Sequence, residues 1–192
     1  MNPQDWSDRY RSHNTKWDLG HSPLGLEAYI AKLSERKKIQ IPGCGRGYEI
    51  MDFHKAGHDV IAIDFSEGAI EEARHVIGPL ADAIICDDFF EAPLEEGHFD
   101  LCYERTFFCA IPLEKRRDYG SRIASLLNKS GLLMGVFLYG KPDPDGPPFP
   151  MTKEDRERFI EPFFSLLFDE RDHNGLPVFN ENEERWQIWQ KR

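Results

Sequence analysis

Short apolar runs recur along the chain, separated by longer stretches of mixed polarity. The runs at 39–41, 59–64 (Val60, Ile61, Ile63), 83–86, 99–103 and 132–138 each read as a buried strand. Helical spacing fills much of the intervening chain. Residues 23–33 carry Leu24, Leu26, Tyr29, Ile30 and Leu33 on one face, 48–55 resume that period up to Gly57, and Ser66 stands as N-cap of a helix reaching about Val76. A further helix is expected over about 113–127, with the following strand entered through Lys129-Ser130-Gly131. Strands and helices in this alternation predict βαβ units and a mostly parallel sheet.

The rhythm changes near the end. Residues 140–150 hold five of the 13 prolines and form a loop, and 152–160 look helical. Residues 163–168 and 185–190 then read as two strands without a long crossover, which predicts an antiparallel pair at a sheet edge. Seven strands are expected in all.

Composition narrows the function classes. At 192 residues, with 40% hydrophobic positions, the chain has the size and core of one domain. Its 24 Lys and Arg against 34 Asp and Glu give a formal charge of −10, which repels phosphate backbones and argues against a nucleic-acid partner. No apolar run approaches the ~18 residues of a membrane span, and residues 1–20 carry no signal-peptide pattern. Cys44, Cys86, Cys102 and Cys109 form no C-x-x-C pair, so reduced packing thiols in a cytoplasmic protein are expected. His54 and His58 lack the flanking acid of a zinc helix, and no metal site is expected.

The densest chemistry lies in strand, Gly43-x-Gly45-x-Gly47, helix, strand, Asp64. Glycines at a strand-to-helix turn permit a bend that a Cβ blocks and let a ligand approach the main chain. An acid at the end of the next strand can accept from both hydroxyls of a ribose. A dinucleotide loop wants a third glycine at position 48, where Tyr48 stands, and no Gly-Lys-Ser/Thr follows for a P-loop. The spacing instead suits S-adenosyl-L-methionine (SAM), which has no pyrophosphate. After the third strand, Asp87-Asp88-Phe89-Phe90 offers acids for an adenine amino group and an aromatic for its ring; read alone, the two acids are more often a solvated loop or helix cap.

Larger strings then resemble a known family. Trp6…Arg9-Tyr10…Thr15-Lys16-Trp17-Asp18-Leu19-Gly20, Ile41-Pro42-Gly43-Cys44-Gly45-Arg46-Gly47-Tyr48, Gly57-His58…Asp64-Phe65-Ser66, Tyr103-Glu104-Arg105-Thr106-Phe107-Phe108-Cys109-Ala110-Ile111, Gly146-Pro147-Pro148-Phe149 and Glu184-Arg185 look, in order, like the thiopurine S-methyltransferase superfamily with its plant and bacterial thiol and halide methyltransferases. The resemblance implies a Rossmann-like class I methyltransferase: an α/β fold with a mostly parallel seven-stranded sheet, an antiparallel edge hairpin and helices on both faces. It implies one domain over 1–192, with cover helices in 1–34, a cofactor core in 38–138 and acceptor-side loop and strands in 139–192.

It also implies site roles. Trp6 and Trp17 would close over the cofactor, with Gly43, Cys44 and Gly45 beside its methionine part. Asp64 and Phe65 would lie at the ribose, Asp87, Asp88 and Phe89 at the adenine, and Arg105 near cofactor and acceptor. Arg185 would be a second arginine on the acceptor side. Residues 146–149 would border the acceptor pocket. On sequence alone Arg105 reads as a salt-bridge residue to Glu104 or Asp100, and Arg185 as a surface residue. The expected activity is methyl transfer from SAM to a small thiol or similar soft nucleophile, giving S-adenosyl-L-homocysteine. Halide, thiocyanate, tellurite or selenium methylation on the same scaffold stays open, as does SAM binding without catalysis. A monomer is expected.

Overall fold

The computed structural model describes residues 1–141, 143, 145–172, 179 and 183–192. They form two compact units, Met1–Ala92 and Pro93–Arg192.

In the first unit, β1 (Lys38–Pro42) pairs in parallel with β2 (Asp59–Ile63), in register from Lys38↔Asp59 to Pro42↔Ile63. α3 (Tyr48–Lys55) starts directly at Gly47, whose φ of 75° turns the chain from the glycine loop into the helix. α4 (Glu67–Ile77) starts at Ser66, which accepts from the Ala69 N–H as the sequence predicts. Two N-terminal helices complete the unit. α1 (Pro3–Arg11) has a reciprocal cap between Asn2 and Asp5, and α2 (Leu24–Ile30) lies within the expected 23–33 segment. α1 lies close on the start of α4: a Cβ on Gly68 would come within 2.6 Å of the Ser7 carbonyl oxygen.

One expected strand is not formed. Residues 78–83 wind into a 3-10 helix, and 83–86 contribute only a single parallel bridge, Ile63↔Ile85. The cause is local. The Ile84 N–H is taken by Ala81, and from Asp87 onward the aspartate side chains claim the backbone donors that a strand would need. The described residues therefore hold six strands rather than seven.

The second unit contains the other four. β3 (Phe99–Arg105) runs parallel to β4 (Leu127–Tyr139), which is antiparallel to β6 (Glu183–Lys191), itself antiparallel to β5 (Phe164–Arg171). The expected antiparallel pair is thus present. β4 begins earlier than predicted, but its register with β3 breaks between Phe99↔Leu127 and Leu101↔Leu132, so Lys129-Ser130-Gly131 still interrupts the ladder. α5 (Arg116–Leu126) follows a short 3-10 turn, and α6 (Lys153–Phe159) is capped by Thr152 and Asp155. The two helices approach so closely that Gly120 has no room for a side chain: its Cβ would sit 1.9 Å from the Phe159 carbonyl oxygen.

Candidate active site

The glycine loop joins the carboxyl end of β1 to α3. Gly43, Gly45 and Gly47 all have left-handed φ angles, 57°, 53° and 75°, which side-chain-bearing residues resist. At the end of β2, Asp64 is only 7% exposed. One carboxylate oxygen accepts from the Gly45 N–H and the other from the Ser66 N–H, both at 2.9 Å. Burial pushes this carboxyl up to about 6, and the two amide donors only partly oppose the rise. Each oxygen takes one of these bonds and retains a further lone pair for another donor. Cys44 is buried, its thiol pushed well up by desolvation and then by Asp64, so it is a packing group. Phe65 is half-buried beside them.

Aromatic side chains from the N-terminal segment rest on this loop. The Tyr10 hydroxyl lies where a Gly45 Cβ would be, 2.7 Å from the ideal position. Burial, and then the nearby Asp64, keep the Tyr10 phenol protonated. Trp17 meets Trp6 edge-on at 5.3 Å and Tyr10 at 5.8 Å, and the Arg9 guanidinium lies over both indoles at 5.5 and 5.9 Å. Arg46, within the loop, pairs with Asp18 just past Trp17 and with Glu72 of α4 at 3.1 Å. Ser7 of α1 shares a 3.1 Å hydroxyl contact with Ser66 and accepts from the Gly68 N–H. Trp6, Trp17, Gly45 and Asp64 are therefore joined through Tyr10, Ser7 and Ser66.

Asp87 and Asp88 are tied to Asp64 through the backbone, since the Asp64 N–H donates to Ile85. Their side chains fold back, with Asp87 accepting from the Asp88 N–H at 2.8 Å and Asp88 from the Phe90 N–H at 2.9 Å. Phe89 is 3% exposed and packs inward, while half-buried Phe90 meets it edge-on at 5.4 Å. The ring with an accessible surface is thus Phe90, one residue beyond the expected Phe89.

In the second unit, Arg105 ends β3. Its partner is neither Glu104 nor Asp100 but Glu184 of β6, at 3.0 Å, with side chains 11% and 4% exposed. Glu104 points to the other face of the strand. There it accepts from the Phe107 and Phe108 N–H groups at 2.8 and 3.0 Å and from the Tyr119 hydroxyl at 2.6 Å. Between them Thr106 has φ 58°, a strained value for a β-branched residue that this clasp holds in place. Arg185 follows Glu184 on β6 and so faces the opposite side, engaged with Asp169 at 2.6 Å and with Glu183. The structure does not bring the two expected arginines together.

Residues 146–149 are anchored by a side chain that the sequence did not single out. Arg116 is 1% exposed, donates to the carbonyls of Phe149 and Pro150, pairs with Asp155 at 2.8 Å and lies 4.4 Å over the Phe108 ring. Cys109, whose thiol burial pushes up to about 12, offers its carbonyl to the Phe149 N–H. Tyr10, Ser7, Arg46, Glu104, Arg116 and Glu184 were all missed as organising residues. For Tyr10 the signal was present in its spacing from Trp6 and Trp17; for the others only the fold supplies it. Among the described residues no three His, Cys, Asp or Glu side chains gather to hold a metal ion, and no helix is long and apolar enough to cross a membrane.

Thiocyanate methyltransferase 1 of Arabidopsis thaliana is 26% identical, over 97% of this chain and 84% of its own length. The thiopurine S-methyltransferase of Photobacterium profundum is 25% identical over 98% and 99%. A solved structure of a Burkholderia thailandensis 1,6-didemethyltoxoflavin-N1-methyltransferase, with bound S-adenosylhomocysteine, superposes with a TM-score of 0.77 over 98% of this chain and 86% of that one, at 17% identity. That likeness shows the Rossmann-like methyltransferase fold. The family model for thiopurine S-methyltransferase matches residues 1–191, so the chain belongs to the thiopurine S-methyltransferase family of SAM-dependent methyltransferases.

Proposed function

We propose that this chain transfers the methyl group of SAM to the sulfur of a small thiol or similar soft nucleophile. In this reading, residues 1–192 act as one methyltransferase domain: 1–34 are the cover, 38–138 the cofactor core and 139–192 the acceptor side. The enzyme works as a monomer in the cytoplasm on a small-molecule acceptor. The observation that carries the reading is the Asp64 carboxylate clasping Gly45 in a loop of three left-handed glycines, within a chain that matches the family over residues 1–191. The plant relative named for thiocyanate and the bacterial one named for thiopurines both point to soft sulfur acceptors.

The residues fit the cofactor. A buried carboxylate with spare lone pairs and a pKa of about 6 suits the two hydroxyl donors of a ribose. The left-handed glycines Gly43 and Gly45 leave main chain bare for the methionine part, with Cys44 between them. Asp87 and Asp88 would hold the adenine edge, with Phe89 packing beneath the segment and Phe65 beside the ribose. Trp6 and Trp17, already stacked by the Arg9 cation, present faces that attract a sulfonium. Bound SAM supplies an activated methyl group, which leaves the protein the task of alignment. Orientation of that kind is worth up to about 7–11 kcal/mol in ideal systems. Arg105 orients the acceptor electrostatically; Arg185, held by Asp169 and Glu183 on the opposite face, is left out of that role. A thiol with a pKa near ~8.5 is partly ionised at neutral pH and needs no dedicated base.

The test is transfer from methyl-labelled SAM to a panel comprising an aromatic thiol, an alkyl thiol, hydrosulfide, a selenium species, iodide and thiocyanate. Turnover on the thiols supports the reading. Turnover confined to halide or thiocyanate moves it to anion methylation. Silence across the panel, in a protein that still binds S-adenosyl-L-homocysteine, leaves a SAM-binding protein without this catalysis.

A further inference from the structure

The Arg105–Glu184 pair bears on which acceptors the site takes. In the ladder, Arg105 pairs with Val136 and Val136 with Trp186, so Arg105, Leu138 and Glu184 project from one face of the sheet. The guanidinium reaches across β4 to the Glu184 carboxylate at 3.0 Å, and both side chains are almost dry. Among the described residues, the other charged groups that act with this pair on Cys109 are already committed. Arg116 is balanced by Asp155 at 2.8 Å, the Cys109 thiol is held protonated, and Glu104 is committed on the opposite face to Tyr119 and two backbone amides. Arg185 points away with two carboxylates of its own.

We propose that Glu184 is a specificity-determining residue: by cancelling the charge of Arg105 it biases the acceptor site toward uncharged thiols and against inorganic anions such as thiocyanate and iodide. This rests on the reading that Arg105 borders the acceptor. A lone buried guanidinium attracts a small anion strongly in a low-dielectric site, whereas a carboxylate 3.0 Å away removes most of that attraction. An uncharged thiol binds beside the neutral pair with the guanidinium as a donor that orients it, and it gives its S–H proton to water as its sulfur takes the methyl group and the SAM sulfonium leaves as a neutral thioether.

The experiment compares wild type, Glu184→Gln and the double variant Arg105→Met/Glu184→Gln. Two quantities are measured on each. One is the ratio of kcat/KM for thiocyanate to that for benzyl mercaptan, which is uncharged at pH 7. The other is thiocyanate affinity for the S-adenosyl-L-homocysteine-loaded protein, read from the line width of carbon-13 thiocyanate. Wild type is expected to favour the thiol. Glu184→Gln is expected to raise the ratio and the thiocyanate affinity by about tenfold or more. The double variant, which restores neutrality without a buried lone charge, is expected to return to wild-type weakness.

A wild type that prefers thiocyanate overturns the proposal. So does a Glu184→Gln protein of unchanged melting temperature with unchanged anion affinity, or a double variant as tight as the single one. Should Glu184→Gln fail to fold, the wild-type preference and the double variant decide. Absence of transfer to either acceptor by wild type defeats the proposed S-methylation instead, and the line-width titration still decides the charge argument.

Discussion

The carboxylate of Asp64 accepts a hydrogen bond from the backbone N–H of Gly45, linking the end of β2 to the middle of the glycine loop at 2.9 Å. The same side chain takes the Ser66 N–H at the start of α4. One acid thereby fixes the loop, the second strand end and a helix N-terminus together while keeping lone pairs for a ligand.

Asp64→Asn keeps one acceptor oxygen and loses the charge. The variant is expected to fold, with a stability loss of about 1–3 kcal/mol from the broken amide contact. Its affinity for S-adenosyl-L-homocysteine should fall about 10- to 100-fold, because charge-assisted bonds to two hydroxyls are lost. Calorimetric titration beside a thermal melt reads both quantities. Unchanged affinity removes Asp64 from the ribose.

The pH dependence follows from the same carboxyl. Its folded pKa of about 6 lies above the ordinary value of 3.8, so the folded state holds this proton more tightly than the unfolded chain. The resulting contribution to stability is fully present below about pH 4 and is lost as pH rises through about 6. Ligand hydroxyls favour the ionised form and oppose that loss. S-adenosyl-L-homocysteine should therefore bind more weakly at pH 5 than at pH 7.5 in wild type, and the Asp64-dependent part of that change should vanish in Asp64→Asn. Parallel pH profiles for the two proteins contradict this.

Gly45→Ala sets a Cβ against the Tyr10 hydroxyl at 2.7 Å in a left-handed residue. The strain is about 1–2 kcal/mol, and its relief pushes Tyr10 and Trp17 off the loop. Faster hydrogen exchange over residues 6–17 in the S-adenosyl-L-homocysteine-loaded variant than in loaded wild type is the expected readout. Wild-type protection of that segment would show that the cover does not depend on the Tyr10–Gly45 contact.

How far the sequence reached can be seen at these residues. Gly43, Gly45, Gly47 and Asp64 are legible because a strand–turn–helix–strand unit is a local device whose spacing follows from element lengths. The strand over 83–86 misleads because four apolar residues satisfy the strand pattern, while the 3-10 turn before them and the self-capping Asp87 and Asp88 after them shorten it to one bridge. Arg105 is recognisable from its neighbours, but its partner Glu184 is set by the order of β3, β4 and β6, which no local window contains. Nothing in the sequence around Arg116 marks it, and only the packing of α5 against Phe149 and Asp155 makes it a buried anchor.

Arg105→Ala is expected to lower transfer and, by leaving the Glu184 carboxylate buried without its guanidinium, to cost about 3–5 kcal/mol of stability. Arg105→Lys separates these effects: it keeps a cation for Glu184 and loses the planar fork that orients an acceptor. A melting temperature near wild type with kcat/KM reduced tenfold or more is expected. Full activity in Arg105→Lys shows that charge alone suffices.

Arg116→Met removes the donor to the Phe149 and Pro150 carbonyls and leaves Asp155 without its buried partner. A loss of about 3–5 kcal/mol is expected in chemical denaturation. A change below about 1 kcal/mol would mean that residues 146–149 hold their position without Arg116.

The destination of the methyl group tests S-methylation most directly. Incubation with carbon-13-methyl SAM and 4-aminothiophenol offers the enzyme sulfur and nitrogen on one ring, and the carbon-13 shift of the product identifies the atom methylated. A single S-methyl resonance is the predicted result. An N-methyl resonance, or unreacted acceptor in the presence of bound cofactor, contradicts it.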